Sequence, residues 1–112
     1  MQIHLKAIEP DLVAAWQHHF MGISSVKASL GDILKESADA IVSPANSFGH
    51  MDGGLDLKYS QFFGWDLEKS VRKVILNDYH GELPIGQAII VETGHPSFKY
   101  LISAPTMRVP MR

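Results

Sequence analysis

The sequence predicts an α/β domain built on a mostly parallel sheet. Three observations carry that prediction. Five short apolar segments alternate with at least two amphipathic helical stretches. The first two strand candidates flank a helix, a βαβ arrangement that implies a parallel pair. The polar clusters follow strands: "GDI" the second, "SPANS" the third and "APTMR" the last. Parallel strands would gather these segments at the carboxyl edge of the sheet, where open α/β sheets bind ligands.

Each element has its own warrant. In "QIHLKAI" the apolar residues Ile3, Leu5 and Ala7 alternate, as in a half-buried strand. Pro10 stands where a helix can begin, because its missing N–H would be unpaired there anyway. Leu12, Val13, Trp16 and Phe20 then fall on one face, and Gly22 supplies the stop. "SVKASL" and "ADAIVSP" read as the second and third strands, the latter ended by Pro44. A long helical stretch follows, with a break expected near Gly64. Leu67, Val71, Val74 and Ile75 form its apolar side, and Glu68, Lys69, Arg72 and Lys73 its wet side, with Glu68 and Arg72 spaced as a supporting pair. "HGELPIG" is a loop, "QAIIVET" a buried strand, and "GHPSFK" turns into the last strand, "YLISAP". Trp16, Trp65, Phe62 and Phe63 are expected in the core, with a pocket-lining place for one of the Phe pair as the alternative.

The 112 residues suit one domain, 1–112, with a single core. Hydrophobic residues at 46% and charged residues at 20% are ordinary for a globular protein, and a net charge of -2 argues against a nucleic-acid-coating role. The absence of cysteine excludes disulfides and thiolate metal sites. No apolar run approaches the ~18 residues of a membrane span, and the N-terminus lacks the layout of a signal peptide. A cytoplasmic protein without membrane attachment is expected. Six histidines are present, but they form no H-E-x-x-H motif, and no metal site is expected.

The segment "SPANSFGHMDGGLD", Ser43 to Asp56, is polar and nearly free of bulk. Gly53 and Gly54 precede a helix, whose unpaired N–H groups favour an anion; a phosphate loop and a plain tight turn are both consistent with them. Asn46 suits a ribose hydroxyl or a bound water, or equally the stabilisation of its own turn. Asp32 and Asp56 can each accept from an amine or hydroxyl, and Asp56 can instead cap the helix. Ser43 and Ser47 have no histidine base beside them in sequence, which disfavours a hydrolase triad. His50 reads as a solvated loop residue. Neither G-x-x-x-x-G-K-[ST] nor G-x-G-x-x-G occurs, which disfavours P-loop kinases and dinucleotide dehydrogenases.

Together, "GDI", "ADAIVSPANS", "GGLD" opening a helix and "GELPIGQAIIVETGHPSFKYLISAP" resemble the macro domain, an ADP-ribose-binding α/β fold, from about Val26 onward. The resemblance implies a three-layer architecture with helices on both faces of the sheet. It implies that Asp32 accepts from the adenine amine with Ile33 beside the ring, that Asn46 meets the distal ribose, and that Gly53, Gly54 and Leu55 wrap the diphosphate. In the hydrolytic branch Asn46 and Asp56 would hold water, as an ADP-ribosyl hydrolase or an O-acetyl-ADP-ribose deacetylase. ADP-ribose or an ADP-ribosylated substrate is the implied partner, and no cofactor is implied. The sequence departs from the family pattern in "SPAN" and in Asp52 before Gly53. It also ends before the family's usual last strand, second phosphate loop and helix, as in a C-terminally shortened member. On that footing Ile90, Leu101 and Ile102 are expected to lack partners and to favour a homo-oligomer. A neighbouring copy's "APTMRVPMR" tail would then fill part of the gap, its Arg108 or Arg112 offering charge to a phosphate.

Overall fold

The computed structural model describes residues 1–109, which form a mixed α/β structure in two compact units divided after Glu36. In the first unit β1 (Ile3–Ala7), α1 (Pro10–His19) and β2 (Val26–Leu30) make the expected βαβ arrangement. β1 and β2 pair in parallel from Ile3↔Val26 to Ala7↔Leu30. Pro10 occupies the start of α1, and Gly22 turns the chain after it with φ +84°. The apolar face of α1 is narrower than expected: Val13 is buried, Trp16 and Phe20 are half-buried, and Leu12 is exposed. A 3₁₀ turn, Ile33–Lys35, follows β2, and Lys6 pairs with Glu36.

The second unit contains β3 (Ala38–Asn46), α2 (Gly54–Phe63), α3 (Asp66–Tyr79), β4 (Ile89–His95) and β5 (Phe98–Met107). Its sheet has the order β3-β5-β4. β3 and β5 run parallel, with Ile41 opposite Leu101 and Ser43 opposite Ser103. The chain between them is long enough for a crossover, whereas β4 and β5 are joined by Pro96 and Ser97 alone and so must pair antiparallel. Two of the three pairings in the molecule are therefore parallel among the described residues.

Alternation along the strands gives this sheet one buried side. Ile41, Ala45, Ile89, Val91 and Leu101 lie there, with Tyr59 of α2 and Leu67, Val71 and Ile75 of α3. Leu101 is fully buried, contrary to the expectation that it lacks partners, because it alternates with Ile102 and points toward the helices. Ile90 is 63% exposed, as expected, and so is Val42 at 52%. The long helical stretch does break at Gly64, which adopts φ +95° between α2 and α3. Phe62 and Phe63 are only half-buried and Trp65 is exposed, since they sit at this break. Both phenylalanines pack on His95, with ring centroids 4.5 and 5.7 Å away.

Candidate functional site

Because β3 and β5 run parallel, their carboxyl ends meet, and Asn46 stands opposite Met107 after a register shift at Ala45. The segment Ser47–Gly53 leaves this edge and returns as α2. Asn46, only 5% exposed, closes its first turn. Its Oδ1 accepts from the N–H groups of Phe48 and His50, at 3.1 and 3.2 Å, and its Nδ2 donates to the His50 carbonyl at 2.7 Å. The turn-stabilising reading of Asn46 is thus the one the geometry satisfies. An amide can make four hydrogen bonds, so one Nδ2 hydrogen is still available for a ligand among the described residues. His50 is half-buried by this turn, not a fully solvated loop residue.

The middle of the segment is clamped at Met51. Its side chain is 1% exposed, its N–H donates to Glu68 Oε2 at 2.6 Å, and its carbonyl accepts from Ser60 Oγ at 2.7 Å. Glu68, expected on the wet side as a partner of Arg72, instead turns toward the loop. Ser47 is tied as well: its N–H donates to the carbonyls of Met107 and Arg108, and its carbonyl accepts from Leu83 N–H at 2.7 Å.

Gly53 is the N-cap of α2 and Gly54 its first residue, with φ +58°. A Cβ at Gly54 would meet no atom within 4 Å, so the position faces open space. Glycine is there for its left-handed backbone, which a branched side chain resists. The helix start leaves its first N–H groups without intrahelical partners, which is the usual anion-holding arrangement.

Asp56 is not the cap; it lies in the first turn of α2, two residues after Gly54, and is 6% exposed. The hydroxyl of Ser43, fully buried on β3, donates to its Oδ1. Burial pushes the Asp56 carboxyl above the ordinary carboxylate range; the Ser43 hydrogen bond opposes this, and the charge of Glu68 adds to it.

A cavity of about 200 Å³ opens at this edge, lined by Asn46, His50, Gly53, Gly54, Leu55 and Asp56, with Thr106 and Met107 from β5. No Lys or Arg belongs to the described lining, so an anion there must rely on backbone N–H groups and the helix end. The volume is below the ~300–1,000 Å³ of typical small-molecule pockets and suits a sugar-phosphate fragment. Five of the expected site residues, Asn46, Gly53, Gly54, Leu55 and Asp56, are thus brought together. Asp32 and Ile33 belong to the first unit, where the Asp32 carboxylate accepts from Leu34 N–H at 2.9 Å and caps the 3₁₀ turn. A larger cavity, about 360 Å³, lies within the first unit against Trp16 and Phe20, and none of the expected site residues lines it. Arg108 is engaged by both carboxylate oxygens of Glu82 and lies over the Phe48 ring, so it is not held in reserve for a phosphate. Arg112 lies outside the described residues. Among the described residues no group of three or more His, Asp or Glu is placed to hold a metal ion.

Comparison with known proteins bears on this geometry. The Macro domain family profile matches residues 42–112. A macro domain-containing protein of Listeria monocytogenes is 38% identical over 84 residues, covering 75% of this chain and 45% of that protein. The macrodomain of Mycobacterium tuberculosis DarG superposes with a TM-score of 0.59 at 28% identity, over 70% of this chain and 50% of that one. A variant macrodomain of Oceanobacillus iheyensis solved with ADPR gives a TM-score of 0.62 at 30% identity, over 67% and 41%. The chain spans about half the length of the curated relatives it matches.

Proposed function

The chain belongs to the macro domain family, and on that premise we propose that it binds ADP-ribose or a related nucleotide at the carboxyl edge of β3 and β5. The observation that carries this reading is the left-handed Gly54 at the start of α2, open to a cavity that Asn46 and Asp56 also line. Backbone N–H groups of Gly53, Gly54 and Leu55 hold the phosphates, and the remaining Asn46 amide hydrogen and the Asp56 carboxyl meet the distal ribose. Asp32 is assigned to the adenine amine, with Ile33 beside the ring, on the strength of the resemblance alone. The Oceanobacillus iheyensis macrodomains solved with ADPR and with ADP support the ligand class. Calorimetric titration with ADP-ribose tests the reading: saturable heat supports it, and no heat at millimolar ligand overturns it.

A second reading, hydrolysis of an ADP-ribosyl linkage, is favoured by the buried placement of Asp56 in the cavity with Ser43 fixing one carboxyl oxygen. The other oxygen would then orient water. Release of ADP-ribose from a modified protein is the measurement that separates turnover from binding. A third reading, a self-associating scaffold without ligand, is favoured by exposed Val42 and Ile90 on the side of the sheet opposite its buried face. Light scattering tests it.

A further inference from the structure

The loop that approaches the cavity is rich in glycine and would by itself carry large backbone freedom. Met51 anchors its second half to the helices through both backbone polar groups. The N–H partner is Glu68 Oε2 at 2.6 Å, seventeen residues away on α3, and the carbonyl partner is Ser60 on α2. Upstream, Gly49 sits tightly against α3: a Cβ there would come within 3.0 Å of Arg72 Cγ and Ile75 Cδ1. Two residues beyond Met51 the chain reaches Gly53 and Gly54 at the cavity. Holding Met51 therefore limits the directions in which the N–H groups of the α2 start can be presented.

We propose that Glu68 is the positioning residue of this ligand site, acting through Met51 to hold the phosphate-facing loop in its binding conformation before ligand arrives. The proposal rests on the nucleotide-binding reading above and adds a residue that touches no ligand. Preorganisation of this kind raises affinity because the ordering cost is met in folding and not in binding. Glu68 also acts on Asp56 through its charge, which favours the protonated carboxyl. The groups facing Asp56 are the Ser43 hydroxyl from β3 and Glu68 from α3, with His50 and Asp52 lining the same cavity. An anionic ligand next to Asp56 is held more tightly when that carboxyl is neutral, so affinity increases as pH falls through its titration.

The test compares Glu68→Ala with Glu68→Gln in two measurements. In the free protein, amide hydrogen exchange at Met51–Leu55 is expected to speed up in Glu68→Ala while the α3 amides stay protected, and to remain near wild type in Glu68→Gln, whose amide oxygen can still accept from Met51. Calorimetry with ADP-ribose is expected to show affinity roughly tenfold weaker for Glu68→Ala, on the scale of ordering a few side chains and loop residues, and nearly wild type for Glu68→Gln. The pH profile of binding by Glu68→Gln should shift to lower pH, because the neighbouring charge is gone; a purely structural role would leave that profile in place. Unchanged exchange and affinity in Glu68→Ala would overturn the proposal. So would an unchanged pH profile in Glu68→Gln with affinity lost as in Glu68→Ala. A wild-type protein that ignores ADP-ribose overturns the binding reading instead, and the exchange measurement still decides whether Glu68 holds the loop.

Discussion

Replacing Ser43 by alanine should destabilise the second unit in a pH-dependent way. The Ser43 hydroxyl is fully buried and donates to a carboxylate that is itself 6% exposed, so water cannot readily take its place. A hydrogen bond to a charged group contributes about 1.5–3 kcal/mol net, against about 0.5–1.5 kcal/mol for a neutral one. At about pH 7.5 the expected loss is therefore ~2 kcal/mol, or around 10 °C in Tm for a domain near 100 residues. The sign of the pH effect follows from linkage. Asp56 has a folded-state pKa above its unfolded value, so its protonation favours the folded state. That stability is fully present below the unfolded Asp value, about 3.9, and is lost as pH rises through the folded one. Removing the Ser43 donor raises the folded pKa further, which deepens the loss above the window and leaves only the smaller cost of a neutral hydrogen bond on the acid side. Urea unfolding of wild type and Ser43→Ala, at about pH 7.5 and at the lowest pH where both remain folded, measures the difference. Equal costs at both pH values, or none at neutral pH, would refute the argument that the hydroxyl serves the charged carboxylate.

Gly54→Val is expected to abolish ADP-ribose binding, because φ +58° disfavours a branched side chain and the added atoms enter the cavity; circular dichroism should still show a folded protein, since the new side chain meets no protein atom within 4 Å at Cβ. Asp56→Asn removes a buried charge, so the wild type's loss of stability between acid and neutral pH should be flattened in the variant, as read by thermal melts across pH. Toward an ADP-ribosylated substrate, Asp56→Ala should lower turnover far more than it weakens binding, because a water-orienting carboxylate acts in the transition state; parallel losses in kcat and affinity would argue against that role. Self-association through the exposed side of the sheet should be reduced by Ile90→Lys, with a smaller mass in light scattering; an unchanged mass would place any interface elsewhere.

Much of the fold was legible because its signals are local. Pro10, Gly22 and Gly64 mark a helix start, a stop and a break through backbone constraints that need no tertiary information. Asn46, Gly53, Gly54 and Asp56 were likewise visible as a polar, small-residue segment after a strand. The assignment of Leu101 failed for a definable reason. The expectation rests on missing C-terminal partners, whereas Leu101 lies opposite Ile41 and Val91 on the side of the sheet that is already buried. Glu68 was missed because a helical wheel reports only the helix itself. It neighbours the apolar stripe of Leu67 and Val71, yet nothing in the wheel shows that Met51 crosses above it to use the carboxylate. Asp56 reads in the sequence as a cap or as chemistry alike, because its partner Ser43 lies thirteen residues earlier on a different element. Long-range pairing of polar side chains has no sequence period.

The central claim is that backbone N–H groups at the start of α2 receive the phosphates of a nucleotide. An NMR titration of the wild-type protein with ADP-ribose follows those amides directly. The expected result is saturable displacement of the Gly53, Gly54 and Leu55 amide resonances, with the Asn46 side-chain amide moving in step and α3 amides beyond Val71 unchanged. Saturable binding that leaves Gly53, Gly54 and Leu55 in place, or no displacement anywhere, would contradict it.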